Sequence, residues 1–260
     1  MKFPVSFYQD LKVLEEQVPF HKQVGVHVEV ALADTAFNQE ISVRQLEKLA
    51  VILRENELKV TAHLPFHDLR LASRDRHIVE YSMDVLTEAL EIGKILGARM
   101  AVLHTGYTPQ VPTGDMEKWM EEAAGNLRDL AERAAEEDML IALRNLWEPD
   151  ADLFKGLFER VGNESLGMCP DLGHAACYSS LAPEEWITVF NDRLFNIHFH
   201  DNDGMEDQHN SCGEGVVGYD TILEAMQGLK EPLNITLEMA PEGILPSLDH
   251  LREMGFDLDI

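Results

Sequence analysis

Eight short, apolar, β-rich runs alternate with longer amphipathic stretches along the chain, and this alternation constrains the fold more than any other feature. The runs are PVSFY (4–8), VGVHVEV (24–30), LKVTAHLPF (58–66), ARMAVLHTG (98–106), MLIALRN (139–145), LGMCPDLG (166–173), LFNIHFHD (194–201) and LNITLEM (233–239). Between them, apolar residues recur with helical spacing at 43–56, 75–96, 115–137, 151–161, 182–191, 219–228 and 243–254, and more weakly at 10–18. Ser42 with Gln45 reads as a capping box opening the first strong helix. Such alternation predicts right-handed βαβ units and a parallel sheet. Eight units in 260 residues match a closed (β/α)8 TIM barrel, expected as a single domain over 1–260 with its active site at the C-terminal ends of the strands. A doubly wound open sheet would carry a glycine-rich loop after its first strand, but YQDLKV follows here, without glycine.

Composition narrows the function classes. The N-terminal MKFPVSFYQD has no apolar signal-like core, and no stretch approaches a membrane span, so a soluble, cytoplasmic protein is expected. Cys169, Cys177 and Cys212 are odd in number and unpaired in spacing, which fits reduced, inert thiols. A formal charge of −26 lacks the basic footprint of a nucleic-acid binder and favours a small-molecule partner.

Of eleven histidines, His63, His67, His104, His174, His198, His200 and His209 fall at or just beyond the carboxyl ends of predicted strands, with Asp171, Asp207 and Glu238 in matching positions. In a parallel barrel all those ends share one face. Taken singly, His63 in TAHLPF and His104 in VLHTG also fit core histidines bonded to a backbone carbonyl, and His67 and His200 fit supporting roles. His21, His27, His77 and His250 lie on helices or strand flanks, where packing or surface roles are expected, and Glu29 suits either the barrel mouth or a salt bridge. The pair Asp207-x-His209 with His174 of DLGHA is sharper: two imidazoles and a carboxylate suit zinc or another borderline divalent ion, with a position left for water. The following CGEG is either a turn or a place where backbone passes close to a metal or substrate.

The ordered set of His63-x-Pro65, LHTG with His104, DLGHA with Asp171 and His174, His198-x-His200-Asp201, Asp207-x-His209 with the following GEG, and strand-final Glu238 resembles the xylose isomerase-like TIM barrel superfamily over essentially the whole chain. That superfamily includes endonuclease IV-type AP endonucleases, sugar and sugar-phosphate isomerases and epimerases, and inosose dehydratase-like enzymes. The endonuclease IV-like members hold three zinc ions, and the resemblance implies metal ligands at His63, His104, Asp171, His174, His198, Asp207, His209 and Glu238. One position departs. Where the family carries a metal-bridging Glu after the fifth strand, this chain reads IALRN, with Arg144. A guanidinium cannot ligate a cation. The departure puts in question the sites resting on His63 with His104 and on Asp171, His198 and Glu238, and leaves that of His174, Asp207 and His209 intact. Arg144 is expected either to pair with Asp171 or Glu238 or to clamp an anionic substrate group.

The resemblance implies a divalent-metal-dependent isomerase or epimerase, holding at least one zinc or manganese ion and acting on a small, carbohydrate-like substrate. Glu238 and Asp171, with Arg144, are the candidate catalytic residues, and His63, His104, Arg144 and His200 the candidate substrate contacts; a homodimer is compatible. An AP endonuclease-type phosphodiesterase is the alternative, opposed by the net charge and by Arg144. A barrel that binds a metal or ligand without turnover is the other.

Overall fold

The structure is a computed structural model that describes residues 1–32 and 41–260. Its elements run β1 (Phe3–Asp10), α1 (Leu14–Val24), β2 (His27–Ala31), α2 (Val43–Glu55), β3 (Val60–His63), α3 (Arg76–Leu96), β4 (Met100–His104), α4 (Met116–Glu136), β5 (Leu140–Arg144), α5 (Asp152–Val161), β6 (Leu166–Cys169), α6 (Leu172–Tyr178), α7 (Pro183–Val189), β7 (Asn196–Phe199), α8 (Tyr219–Gln227), β8 (Asn234–Leu237), α9 (Ile244–Glu253) and β9 (Leu258–Asp259). Strands β1 to β8 pair in parallel in the order β6-β5-β4-β3-β2-β1-β8-β7, and the short β9 pairs with β1 off this path. Between β6 and β7 a full ladder gives way to two isolated bridges, Met168 with Leu194 and Asp171 with His198. The sheet is thereby a nearly closed TIM barrel.

Strands read as short apolar runs where both of their faces are covered, as β6 (LGMC) shows with all four residues buried. The helices bury one stripe each; on α4 it consists of Trp119, Met120, Ala123, Ala124, Leu127, Leu130, Ala131 and Ala134. Gln45 folds back on the Ser42 backbone N–H at 3.0 Å, so the expected capping box opens α2. Among the described residues no helix is long and apolar enough to cross a membrane.

Three local expectations change. The first helix occupies Leu14–Val24 rather than 10–18, because β1 continues to Asp10, whose carboxylate accepts from Lys12 N at 2.7 Å and turns the chain. The second strand begins at His27 rather than 24, because Val24 closes α1 and Gly25, at φ 85°, forms its left-handed cap. The stretch 166–173 is not strand throughout: β6 ends at Cys169, and Asp171 caps a short helix, α6, by accepting from His174 N at 2.7 Å.

Candidate metal centre

Three of the key side chains are placed by local backbone chemistry. Capping by Asp171 puts His174 in the first turn of α6, at the barrel mouth. The Asn145 side chain exchanges two hydrogen bonds with the Asp171 backbone, at 2.7 and 3.0 Å, and so ties the end of β5 to the end of β6. Beyond β7, the fully buried Asp201 carboxylate accepts from the backbone N–H groups of Asn202, Gly213 and Val217, at 2.9 to 3.0 Å, and pins both ends of the loop that carries Asp207 and His209. His209 itself has φ 51°, an uncommon left-handed conformation for a residue with a side chain. Gly213 packs on the His250 ring, and a Cβ at Gly215 would fall 2.0 Å from the Asn202 carbonyl oxygen.

His174, Asp207 and His209 come together. His174 Nδ1 donates to the Asn145 carbonyl at 2.8 Å and His209 Nδ1 to the Glu238 carbonyl at 2.9 Å, so each ring keeps its proton on Nδ1. The two Nε2 lone pairs then face one carboxylate oxygen, Asp207 Oδ2, at 3.0 and 3.3 Å. Three acceptors converge with no donor between them, an arrangement that calls for a cation. In the absence of one, a proton takes that role. Burial works against charge on both groups, but the imidazoles hold the Asp207 carboxyl well below its usual range, and Asp207 in turn raises His209 to about 9. The rings of His174 and His209 meet at 79°, so their planes can intersect at one ion. The residues fit a divalent metal with an N2O donor set.

His200 also reaches this cluster, its ligand atom lying within 4.8 Å of the others. Its ring, however, is stacked on His209, with centroids 4.0 Å apart and planes 5° apart. Two parallel stacked imidazoles cannot both hold one ion in their ring planes, so His200 is better seen as support for the other three. It is fully buried, and its Nε2 donates to Asp171 Oδ1 at 2.9 Å.

The second cluster is a closed ion-pair network. Arg144, only 2% exposed, places Nη2 at 2.5 Å from both Asp171 Oδ2 and Glu238 Oε2, Nε at 3.0 Å from Asp171 Oδ2, and Nη1 at 2.8 Å from His63 Nε2. His198 lies between two carboxylates, with Nδ1 at 2.8 Å from Glu238 Oε2 and Nε2 at 2.8 Å from Glu29 Oε1 in an ion pair off-axis for a hydrogen bond. Burial alone would neutralise this imidazole, but the Glu29 carboxylate holds its pKa well above the ordinary value. Burial also opposes charge on Glu238 and Asp171. It is outweighed at Glu238 by Arg144 and His198, and at Asp171 by His174, His200 and Arg144, so both carboxyls stay well below their usual range.

Glu29 takes the salt-bridged of its two expected roles, fully buried beneath the mouth and bonded to Asn196 and Thr236 at 2.9 and 2.8 Å. His63 is fully buried and lent to Arg144. His104 behaves differently, because neither of its buried ring nitrogens has a partner among the described residues.

His104 lines a cavity of about 220 Å³ at the ends of β3, β4 and β5, with Phe66, Tyr107 and Trp147 as aromatic walls and Arg70 at its rim. Glu148 lies at its edge, buried, bonded to Thr105 and to Leu146 N, its pKa raised by that burial. Sequence reasoning passed over Glu148, Asn145 and the structural role of Asp201. The first two follow Arg144 in IALRNLWE, but loop residues have no periodicity to show which way they face.

Comparison with known proteins agrees with this architecture. An uncharacterized protein of Methanocaldococcus jannaschii is 27% identical over 205 residues, spanning 76% of this chain and 78% of its own length. The chain's match to a second protein of that organism, at 23% identity, spans 66% of that protein. The TTHB071 protein from Thermus thermophilus, in a structure soaked with zinc chloride, superposes with a TM-score of 0.82 at 26% identity over 97% of this chain and 98% of that one. A D-tagatose 3-epimerase-like protein of 19% identity shares the fold, with a TM-score of 0.84 over 97% of each chain. The profile of one family, the xylose isomerase-like TIM barrel, matches residues 25–254. A match of that extent, on a barrel of this topology, means that the chain belongs to the xylose isomerase-like TIM barrel family.

Proposed function

We propose that this protein is a divalent-metal-dependent isomerase or epimerase acting on a small, carbohydrate-like substrate, with zinc or manganese as the ion. The observation that carries this reading is the convergence of the His174 and His209 Nε2 lone pairs on the Asp207 carboxylate at the mouth of the barrel. Zinc soaked into the Thermus structure and the epimerase names among proteins of like fold support it. When bound, the ion would polarise a carbonyl and its neighbouring hydroxyl.

The chain's own residues supply the rest. Glu238, whose side chain keeps 11% of its exposure while that of Asp171 keeps none, is the carboxylate placed to take a proton from a substrate carbon and return it. Arg144 lies against Glu238 and keeps it ionised, so it enters the reaction as a base. Asp171 touches no substrate and instead positions Arg144 and His200. His104 offers its unshared nitrogens to a substrate hydroxyl, and Phe66, Tyr107 and Trp147 give the C–H faces of a sugar an apolar wall.

A second reading, a barrel that binds a small ligand without turnover, is favoured by one observation: Glu238, the carboxylate proposed to transfer the proton, is itself engaged by Arg144. The experiment that separates the two measures bound metals in the purified full chain, then incubates the metal-loaded protein with a panel of ketopentoses, ketohexoses and their phosphates. The expected result is at least one divalent ion and interconversion of at least one epimer pair, lost in Glu238→Gln. Metal without any turnover selects the second reading. A chain that takes up no metal sinks the first reading.

A further inference from the structure

Asp171, His198 and Glu238 look, by composition alone, like a second metal site, since each offers a ligand atom within 4.8 Å of the others. The middle of that group is already filled. A metal ion would sit about 2.0–2.2 Å from the carboxylate oxygens, yet Nη2 of Arg144 lies 2.5 Å from both Asp171 Oδ2 and Glu238 Oε2. An ion bound to those two oxygens on the side that the guanidinium occupies would fall inside the van der Waals envelope of that nitrogen. The third candidate ligand is also engaged, because both nitrogens of His198 face carboxylate oxygens at 2.8 Å.

We propose that Arg144 is the permanent cation of this second position, so that the barrel holds its divalent ion at His174, Asp207 and His209 and excludes another at Asp171, His198 and Glu238.

The charges agree with the geometry. Asp171 and Glu238 bring two negative charges into buried space, and the Arg144 guanidinium already lies against both. A divalent ion added beside the guanidinium would meet a like charge at contact distance in a medium of low dielectric. Arg144 cannot escape by losing its proton, because the carboxylates raise its already high pKa further despite burial. Its side chain is also held from several directions, by Asp171, Glu238 and His63. Without Arg144 the same carboxylates would be left short of positive charge, with their oxygens pointing at an empty centre. Arg144 thus gives the mouth a fixed positive charge that does not depend on metal supply.

The inference rests on the first ion binding as proposed above, and the test separates the two. The full chain and its Arg144→Glu variant are each loaded with zinc alone, freed of excess, and assayed for metal per chain by inductively coupled plasma mass spectrometry, with circular dichroism to check the fold. Wild type is expected to retain about one ion and Arg144→Glu about two, because the variant removes the blocking cation and adds an oxygen ligand from the end of β5. Adding Asp207→Asn to Arg144→Glu should return the count to about one, which locates the gained ion at the second position. Two ions in wild type, or one in a folded Arg144→Glu, would overturn this inference and leave the proposed function standing. No ion in wild type overturns both. If Arg144→Glu does not fold, Arg144→Gln removes the charge with less disturbance. It should take a second, weaker ion as zinc is raised, and a folded Arg144→Gln that stays at one overturns the proposal.

Discussion

His200 lies flat on His209, their ring centroids 4.0 Å apart and their planes within 5° of parallel, while its Nε2 holds Asp171 Oδ1 at 2.9 Å. One imidazole thereby fixes the orientation of a candidate metal ligand and connects it to the Arg144 network through Asp171. Support of this kind usually carries a 10- to 100-fold effect on metal affinity, at an order of magnitude. His200→Ala is therefore expected to weaken zinc binding about 10- to 100-fold without abolishing it, measured by competition with a chromophoric chelator. Complete loss would make His200 a ligand, and an unchanged affinity would make the stacking incidental.

Gly173 is the floor under that ring. In a helix such as α6 a Gly→Ala change ordinarily stabilises by up to about 1 kcal/mol. Here a Cβ would lie 2.1 Å from His200 Cε1, and a buried ring held by Asp171 cannot step aside. Steric overlap decides the sign. Gly173→Ala should lower stability by about 1–3 kcal/mol, seen as a lower Tm, and should weaken metal binding as His200 is pushed off His209. A variant more stable than wild type would show that the ring yields freely.

His63 predicts a pH effect. Burial first, and the Arg144 guanidinium second, bring its pKa from an ordinary 6.5 down to about 4. The sign follows from proton uptake. The unfolded chain binds a proton at this residue below about pH 6.5, while the folded chain resists until about pH 4, so the native state loses ground as pH falls through that window. The full effect is on the order of 3 kcal/mol. Denaturant titrations at pH 7 and pH 5 should show a drop in stability that is smaller in His63→Asn. Equal drops in both proteins would mean that His63 titrates normally in the folded state.

Much of this was legible in the sequence. Eight β-rich runs with amphipathic stretches between them defined the barrel, and the histidines at strand ends are brought together at one end of it. His174, Asp207 and His209 could be grouped because DLGHA and D-x-H are local patterns whose geometry the backbone imposes within a few residues. Arg144 was identified as the decisive departure, and its pairing with both Asp171 and Glu238 joins two partners that had been considered separately. What could not be read was direction and stacking. His198 and His200 lie two apart, yet one is held between Glu29 and Glu238 and the other lies on His209, and only the packed barrel decides which ring goes where. Helix α6 was hidden because Gly173 weakens its helical signature and its start continues directly from an apolar strand. Residues 33–40, beyond β2, lie outside the described residues.

The two isolated bridges between β6 and β7 have a consequence for how the molecule comes apart. Where other neighbouring strands share a ladder, these two meet at Met168 with Leu194 and at Asp171 with His198. The ion pairs around Arg144 lie over that seam: the guanidinium comes from β5 on one bank, Asp171 follows β6, and Glu238 and His198 belong to the other bank. The charged cluster thus stitches the barrel shut where its backbone is least sewn, and the amides of 194–198 and 166–171 should be the first barrel amides to exchange with deuterium once Arg144 is neutralised.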